Sequence, residues 1–462
     1  MSWNALLPEL MLSLGILLVF LLELFLSRKY YKFLTLLAGL VPLFALLSLF
    51  FVHVPSKTLL DVFYVDTHNL IGKGLLYAIT SLSLLASYDY FLKKEADYGE
   101  LSYLVLTSSL GLSILLSSSN LALLFLALEL SSITMYVLIG NFRRDYPSKE
   151  GAYKYLVMGS TGTATLALGS AFYYASVGSL FLKPYSDSNT LFLLGMFLIL
   201  SALALKVSAV PFHFWTPDAY EGAPTPITAY ISTAPKIALY FLLVKMSALF
   251  SQVKEWMLLV ALLSILSMFY ASFVAYAQKS VKRLLAYSSI AHAGYFLLGI
   301  VVWDKILSSA MLFYLSVYAF ATLGSFIVLA VLEKRESFTH HFMDYRGLGR
   351  HDTLPAVVLS LFLFALIGIP PMALFIGKLG IFAGLAKVGL LPLALLFVVA
   401  SIISAGYYLK VIVYMFLEGE ERRWQKVKLS AGEAFVIMLC AVLVVLFGIF
   451  PSVLYDLIFN AL

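Results

Sequence analysis

Five ionisable side chains stand inside long apolar runs: Glu129, Lys206, Lys236, His292 and Lys378. Glu129 is the only charge in LALLFLALELSSITMYVLIG. Lys206 opens KVSAVPFHFWTPDAYEGAPTP, and Lys236 directly follows Pro235, after Ser232 and Thr233. His292 lies in AYSSIAHAGYFLLG, among Ser288, Ser289 and Tyr295, and Lys378 lies in IGIPPMALFIGKLGIF. A charged side chain at the bilayer centre costs about 2.5–3.5 kcal/mol on insertion scales, so such residues mark ion or proton paths. A lysine hands on a proton near neutrality only when its solvation is stripped, and a carboxylate that approaches and withdraws decides which state is held. Glu129 opposite Lys206, on two helices of one unit, reads as such a switch. Lys236 would pass the proton on, and His292, which titrates near neutrality, would carry it toward Lys378.

Each of these residues also has a structural explanation. Glu129 could be a neutral acid bonded to Ser131, Ser132 or a neighbouring hydroxyl. Lys206 and Lys378 could be fixed counter-ions, Lys236 a lysine at a helix kink, and His292 a core histidine held by a hydroxyl. His213 and Asp218, in the broken stretch, either line the entry to the path or cap the half-helix that restarts there. Lys73, Lys154, Lys245 and Lys410 stand near segment ends, where snorkelling to the interface is expected. Glu23 is close to Arg28 and Lys29 and is expected to pair with them.

The elements that must hold these side chains are membrane helices. Of 462 residues, 62% are hydrophobic and 12% charged, against about 25% charged in soluble domains. The net charge of +6 then reflects basic loops at a membrane surface, not nucleic acid. The single cysteine, Cys440, excludes an internal disulfide or a cysteine-held cluster. No Walker loop or dinucleotide fingerprint occurs, and the histidines are not spaced with carboxylates as metal ligands. No cofactor is expected on this chain. The first apolar stretch lacks a basic leader and a small-residue cleavage site, and reads as a retained helix.

At about 20 residues per span, the apolar runs make an all-α integral membrane protein of about fourteen transmembrane helices in one membrane domain, 1–462. Two runs are interrupted by Pro and Gly, near 191–222 between Lys206 and Tyr220, and near 354–386 at Gly368–Pro371. Broken helices at membrane depth are tolerated where protein or water satisfies the freed backbone groups. Three pairs, Lys206 with Lys378, Lys236 with Lys410 and Glu129 with His292, recur at near-constant separation. They divide the chain into three N-terminal helices (1–100), a first five-helix repeat (101–250), a second (256–417) and a C-terminal helix (431–462). Five is odd, so the second unit enters the membrane inverted. Alternate loops collect basic residues, among them Arg143, Arg144, Lys282, Arg283, Arg335, Arg422 and Arg423, which places those loops inside and both termini on the external, periplasmic side of a cell inner membrane.

The stretch KVSAVPFHFWTPDAYEGAPTPITAYISTAPKIA resembles the broken-helix signature of the antiporter-like subunits of respiratory complex I, which are related to Mrp-type cation/proton antiporters and membrane-bound hydrogenases. Three features are most similar to the N subunit of bacterial NADH:quinone oxidoreductase, subunit 2 in mitochondria. They are the opening LLPELMLSLGILLVFLLELFL, the tenth-helix LLAYSSIAHAGYFLLGI, and a lysine in FIGKLGIF where the M subunit has glutamate. The resemblance implies a proton path along the middle of the membrane. Glu129 matches the family's fifth-helix glutamate, Lys206, Lys236 and Lys378 its seventh-, eighth- and twelfth-helix lysines, and His292 a tenth-helix polar position. It also implies that NADH, FMN, iron–sulfur clusters and quinone belong to partner subunits, membrane and peripheral. The expected function is proton translocation coupled to quinone reduction. The rival reading is a subunit of an Mrp-type Na⁺/H⁺ antiporter or a membrane-bound hydrogenase, and a non-conducting membrane spacer comes third.

Overall fold

The computed structural model describes residues 3–27, 30–58, 61–93, 99–142, 145–184, 189–250, 252–417, 419 and 425–462. Arg28, Lys29, Lys94, Arg143, Arg144, Arg422 and Arg423, which carry much of the expected loop charge, lie outside these residues. The helices are α1 (Leu7–Phe25), α2 (Tyr31–Ser48), α3 (Thr67–Lys93), α4 (Gly99–Leu116), α5 (Leu121–Ile139), α6 (Tyr146–Val177), α7 (Thr190–Lys206), α8 (Trp215–Gly222), α9 (Thr225–Ile231), α10 (Ala234–Phe250), α11 (Lys254–Ala277), α12 (Val281–Leu298), α13 (Lys305–Leu332), α14 (Leu348–His351), α15 (Thr353–Ile367), α16 (Ala373–Lys387), α17 (Leu391–Phe416), α18 (Ala431–Ile449) and α19 (Ser452–Ala461). A short antiparallel hairpin, β1 (Ser56–Thr58) and β2 (Phe63–Val65), separates α2 from α3.

Among the described residues, nine helical runs are long and apolar enough to cross a bilayer. The halves of the broken segments fall short of that length, at 17 residues for α7 and 15 each for α15 and α16. The central stretches of the run formed by α9 and α10, and of α13, are wholly buried. Both are apolar all round, as a helix with protein on every side must be. The peripheral helices α1, α17 and α18 instead turn Leu14, Phe25, Leu395, Ile402 and Met438 outward, as a lipid-facing surface requires.

Side chains from the loops start the helices. Asn120, Asp145, Asn189, Ser280, Asp304 and Ser430 each accept a hydrogen bond from a first-turn backbone N–H, satisfying donors that have no partner within the helix. Small residues set the closest helix approach. A Cβ on Gly195 of α7 would stand 2.7 Å from the backbone nitrogen of Tyr173 on α6, so only glycine lets these helices lie so near.

The interruptions have identifiable causes. α7 stops at Lys206, Ser208 takes a positive φ of 67°, and α8 restarts at Trp215. The freed carbonyl of Leu205 accepts the Trp215 indole N–H at 3.1 Å. The Val210 N–H donates to Ser267 Oγ at 2.9 Å. In the other broken segment, α15 ends at Ile367, Gly368 has φ +83°, and α16 begins at Ala373 after Pro370 and Pro371. The run expected to be continuous over 226–250 is also interrupted, at Ser232–Thr233, between α9 and α10. Pro235 has no N–H to offer the Ile231 carbonyl, so the α-helical ladder cannot pass through it.

Candidate proton-transfer site

Lys206 is the last residue of α7 and 7% exposed, held where the carbonyl end of a half-helix favours a cation. Its Nζ donates to Ser132 Oγ on α5 at 2.8 Å. Glu129, one turn earlier on α5, accepts from Thr163 Oγ1 of α6 at 2.5 Å. The direct ion pair expected between Glu129 and Lys206 is therefore not made. Each charge instead binds a hydroxyl, and Ser132, on the same helix as Glu129, takes the ammonium. The neighbouring-helix hydroxyl that the structural explanation of Glu129 called for is Thr163.

Lys236 follows the α9–α10 interruption and is 2% exposed. Its Nζ donates to both the backbone oxygen and Oγ of Ser289 on α12, each at 2.5 Å, and lies 5.5 Å from the centre of the Tyr318 ring. The Tyr318 hydroxyl also donates to Ser289 Oγ at 3.1 Å. His292 stands one turn further along α12 and is fully buried. One ring nitrogen, Nδ1, bonds the Tyr314 hydroxyl at 2.8 Å, and the other, Nε2, the Tyr408 hydroxyl at 3.1 Å. Tyr408 also bonds Ser288. Another turn along α12, the Tyr295 ring lies 5.2 Å from His292 and 5.5 Å from Lys378 Nζ. Lys378 donates to the α15 carbonyls of Ile367 at 2.7 Å and Leu366 at 3.3 Å, and to Ser401 Oγ at 2.8 Å. This lysine occupies the carbonyl end of the broken helix, where freed acceptors and the helix dipole favour a cation. It also lines a cavity of about 300 Å³ with Gly368, Phe382 and Ser401.

Lys236, His292 and Lys378 thus converge on one face of α12 through Ser289, His292 and Tyr295. Lys206 and Glu129 form a separate group around α5. Among the described residues no hydrogen bond joins Lys206 directly to Lys236. Tyr220 of α8 joins the Lys236 group, its hydroxyl lying 3.4 Å from Ser289 Oγ. Tyr220, Tyr314, Tyr318 and Tyr408 are partners that sequence reasoning missed, while Ser289, noted beside His292, is the partner of Lys236. With 29 tyrosines in the chain, nothing in spacing separates these from packing residues.

Several marginal assignments change. Lys73 does not snorkel. It is fully buried, with Nζ 2.7 Å from Glu9 Oε1. Lys154 pairs with Glu150 and Asp218, each at 2.6 Å, and Lys245 pairs with Asp66 at 3.2 Å. Asp218 also takes Arg283 at 2.6 Å, which in turn holds Glu221 at 2.7 Å, so it ties α6, α8 and α12 together at one end of the bundle. His213 stacks on Phe214 in the break. Lys410 donates to the Tyr276 carbonyl at 3.2 Å. Glu23 accepts from Tyr31 at 3.4 Å, while its expected partners Arg28 and Lys29 are outside the described residues. Among the described residues no group of histidine, cysteine and carboxylate side chains could hold a metal ion.

The family described as "NADH:quinone oxidoreductase/Mrp antiporter, TM" matches residues 118–404, a span that contains all five of these ionisable positions. The chain is 61% identical over its whole length to "NADH-quinone oxidoreductase subunit N 1" of Aquifex aeolicus, covering all of that protein. Its fold superposes with a TM-score of 0.82 on a chain of respiratory complex I from Thermus thermophilus, at 29% identity, covering 97% of this chain and 98% of that one. A chain of the Mrp complex from Dietzia sp. shares the fold, with a TM-score of 0.86 at 19% identity, covering 100% of this chain and 97% of that one. Full-length identity at this level, with the buried lysines inside the matched span, leaves one conclusion: the chain belongs to the family of subunit N of NADH-quinone oxidoreductase, the antiporter-like membrane subunits of respiratory complex I.

Proposed function

We propose that the chain moves protons through Glu129, Lys206, Lys236, His292 and Lys378 as a membrane subunit of NADH:quinone oxidoreductase. The observation that carries this reading is the line of contacts on α12, where Lys236, His292 and Lys378 meet through hydroxyls and one tyrosine ring. Lys236 and Lys378 each bond a hydroxyl and a backbone carbonyl, and His292 bonds two phenols. Such sites pass a proton without needing a fixed counter-charge. Glu129 acts on Lys206 from one turn away, and its approach to or retreat from the ammonium sets whether that proton is held.

The fourteen-helix arrangement with inverted five-helix repeats belongs to the same proposal. It is supported by the two helix breaks, each with a buried lysine ammonium beside it, Lys206 before the first and Lys378 after the second. The loop charges put both termini on the external side of the inner membrane. NADH, FMN, iron–sulfur clusters and quinone then reside on partner subunits, and this chain contributes no redox centre. The complex should co-purify with flavin and iron–sulfur subunits. Co-purification with small antiporter subunits alone would favour the Mrp-type reading instead. The direct test is proton flux per electron in proteoliposomes of the complex. Lys206→Arg keeps the charge but cannot release it, and should lower that flux. Wild-type flux in an assembled Lys206→Arg complex would overturn the reading.

A further inference from the structure

Tyr136 stands on α5 one turn beyond Ser132 and two turns beyond Glu129, on the same side of the helix. It is 8% exposed, and its hydroxyl has no hydrogen-bond partner among the described residues. A buried phenol without a partner is costly, and phenylalanine would serve packing without that cost. The ring itself is well supported. It meets Tyr155 of α6 edge to face at 4.8 Å, and Tyr155 stacks on Trp215 of α8 at 4.0 Å. The Trp215 indole N–H bonds the carbonyl of Leu205, the residue before Lys206.

Two relations place this hydroxyl at the level of the Lys206 partner. A helical side chain leans toward the N-terminus of its own helix, so that of Tyr136 lies over the turn that carries Ser132. The register of α5 against α6 agrees. Glu129 faces Thr163 through their hydrogen bond, and Gly140 faces Ala152, where a Cβ on the glycine would lie 3.2 Å from the alanine Cβ. With that antiparallel register, Gly159 falls opposite Ser132 and Ile133. A Cβ on Gly159 would overlap the Tyr136 hydroxyl, so the phenol oxygen occupies the space that the glycine leaves. Lys206 Nζ is bonded to Ser132 at the same level. The three residue types recur around the next buried lysine, where Lys236 and Tyr318 both donate to Ser289 Oγ.

An ammonium has three N–H donors and no lone pair, so it gives the Tyr136 O–H nothing to donate to. Once Lys206 releases its proton, the amine keeps two N–H groups and gains a lone pair. One N–H still serves Ser132, and the lone pair is the acceptor that the phenol lacks. We infer that Tyr136 is a positioning residue for Lys206, whose hydroxyl donates to the neutral amine and so favours the deprotonated lysine when Glu129 is withdrawn. This rests on Lys206 being a proton-carrying residue. No proton passes through the phenol, which shares its hydrogen in the bond and keeps it. Among the described residues, the other titratable groups facing this spot are Glu129 of α5, Tyr155 of α6 and, beyond Tyr155, Tyr220 of α8.

The test uses the assembled complex in proteoliposomes, with proton flux per electron recorded against pH. Tyr136→Phe keeps the ring on Tyr155 and removes only the orphan hydroxyl, so the unfolding temperature should not drop. Flux at neutral pH should fall several-fold and recover in alkali, because the lysine then needs a higher pH to release its proton. The profile should move up by as much as about one pH unit, the equivalent of one buried hydrogen bond. A tyrosine that only fills space would leave the profile in place, and a wild-type profile in assembled Tyr136→Phe overturns the proposal. Tyr155→Phe is the control, since that hydroxyl has its own partner in Met135 Sδ at 3.7 Å. An equal shift there would mean that the profile reports packing, and the proposal falls. If Tyr136→Phe does not assemble, difference infrared spectra of the wild-type complex with ring-labelled tyrosine decide. A phenol band that changes during turnover and is absent in Lys206→Arg supports the bond, and no such band overturns it. If Lys206→Arg impairs flux while Tyr136→Phe does not, the functional reading stands without this residue. If Lys206→Arg has no effect, both fall.

Discussion

Gly368 and Lys378 meet across the break between α15 and α16. A Cβ built on Gly368 would lie 3.0 Å from Lys378 Cδ, and the glycine holds a φ of +83°. An L side chain is strained at that φ, and here it would also press on the lysine stem. Gly368→Ala should therefore cost about 1 kcal/mol or more in stability. It should also disturb the bonds from Lys378 to the Ile367 and Leu366 carbonyls. The expected result is lower proton flux than in Gly389→Ala, which also alters a positive-φ glycine but has open space around it. Equal flux in the two variants would mean that the break tolerates displacement of the lysine.

Ser289 is the meeting point of Lys236, Tyr318 and Tyr220. Ser289→Ala leaves the Ser289 carbonyl as an acceptor for Lys236 but removes the hydroxyl that all three share. The lysine keeps one bond, so loss of stability should stay near about 1 kcal/mol. Proton flux should fall more than that change implies, because the hydroxyl connects α8, α10 and α13 to α12. Measured flux per electron, normalised to assembled complex, checks this, and unchanged flux would remove Ser289 from the path.

What could be read from the chain alone depended on how local the cause was. The breaks after Lys206 and at Gly368–Pro371 follow from proline and glycine in the interrupted segments. The Ser232–Thr233 interruption has the same local signal, Pro235, yet an apolar run on both sides masks it. Partners are a different matter. Glu9 and Lys73, on α1 and α3, are separated by α2 and the hairpin, so only the fold brings them together, and hydropathy alone suggests a snorkelling lysine. Glu129 and Lys206 were legible as neighbours on facing helices. That Ser132, weighed as a partner for Glu129, takes the Lys206 ammonium, and that the neighbouring hydroxyl is Thr163, was not, because a hydroxyl has no charge whose burial must be explained.

Asp304 offers a pH test outside the membrane core. It caps α13 through Leu307 N at 3.0 Å and pairs with Lys387 at 2.8 Å. Burial alone would raise its carboxyl, but the Lys387 ammonium and the first-turn N–H groups outweigh that and hold it below the ordinary carboxylate value. A group with a lowered folded value stabilises above its unfolded pKa and loses that contribution as pH falls through the folded one. Asp304→Asn keeps a capping oxygen but removes the charge. It should cost under about 1 kcal/mol near neutrality, since Lys387 is half exposed. The difference from wild type should shrink toward zero in acid. Thermal unfolding midpoints of the purified chain across that range test it, and a pH-independent difference would mean that the charge contributes nothing.

The separation of Glu129 from Lys206 makes the sharpest prediction. If the two formed a permanent ion pair, removing the carboxylate would strand a buried charge and destabilise the bundle by about 3–5 kcal/mol. The ammonium instead rests on Ser132 and the carboxylate on Thr163, so Glu129→Gln should assemble with a smaller loss, while proton flux falls because nothing can draw the lysine proton back. Glu129→Asp, with a shorter reach, should be milder. Thr163→Ala frees the carboxylate to approach Lys206 and should hold the lysine charged for longer, slowing flux without blocking it. Assembly yield and flux per electron, measured together, separate the two cases. Severe loss of assembly in Glu129→Gln, with normal flux in whatever complex remains, would identify a structural pair. Normal assembly with reduced flux is the outcome expected from a carboxylate that moves.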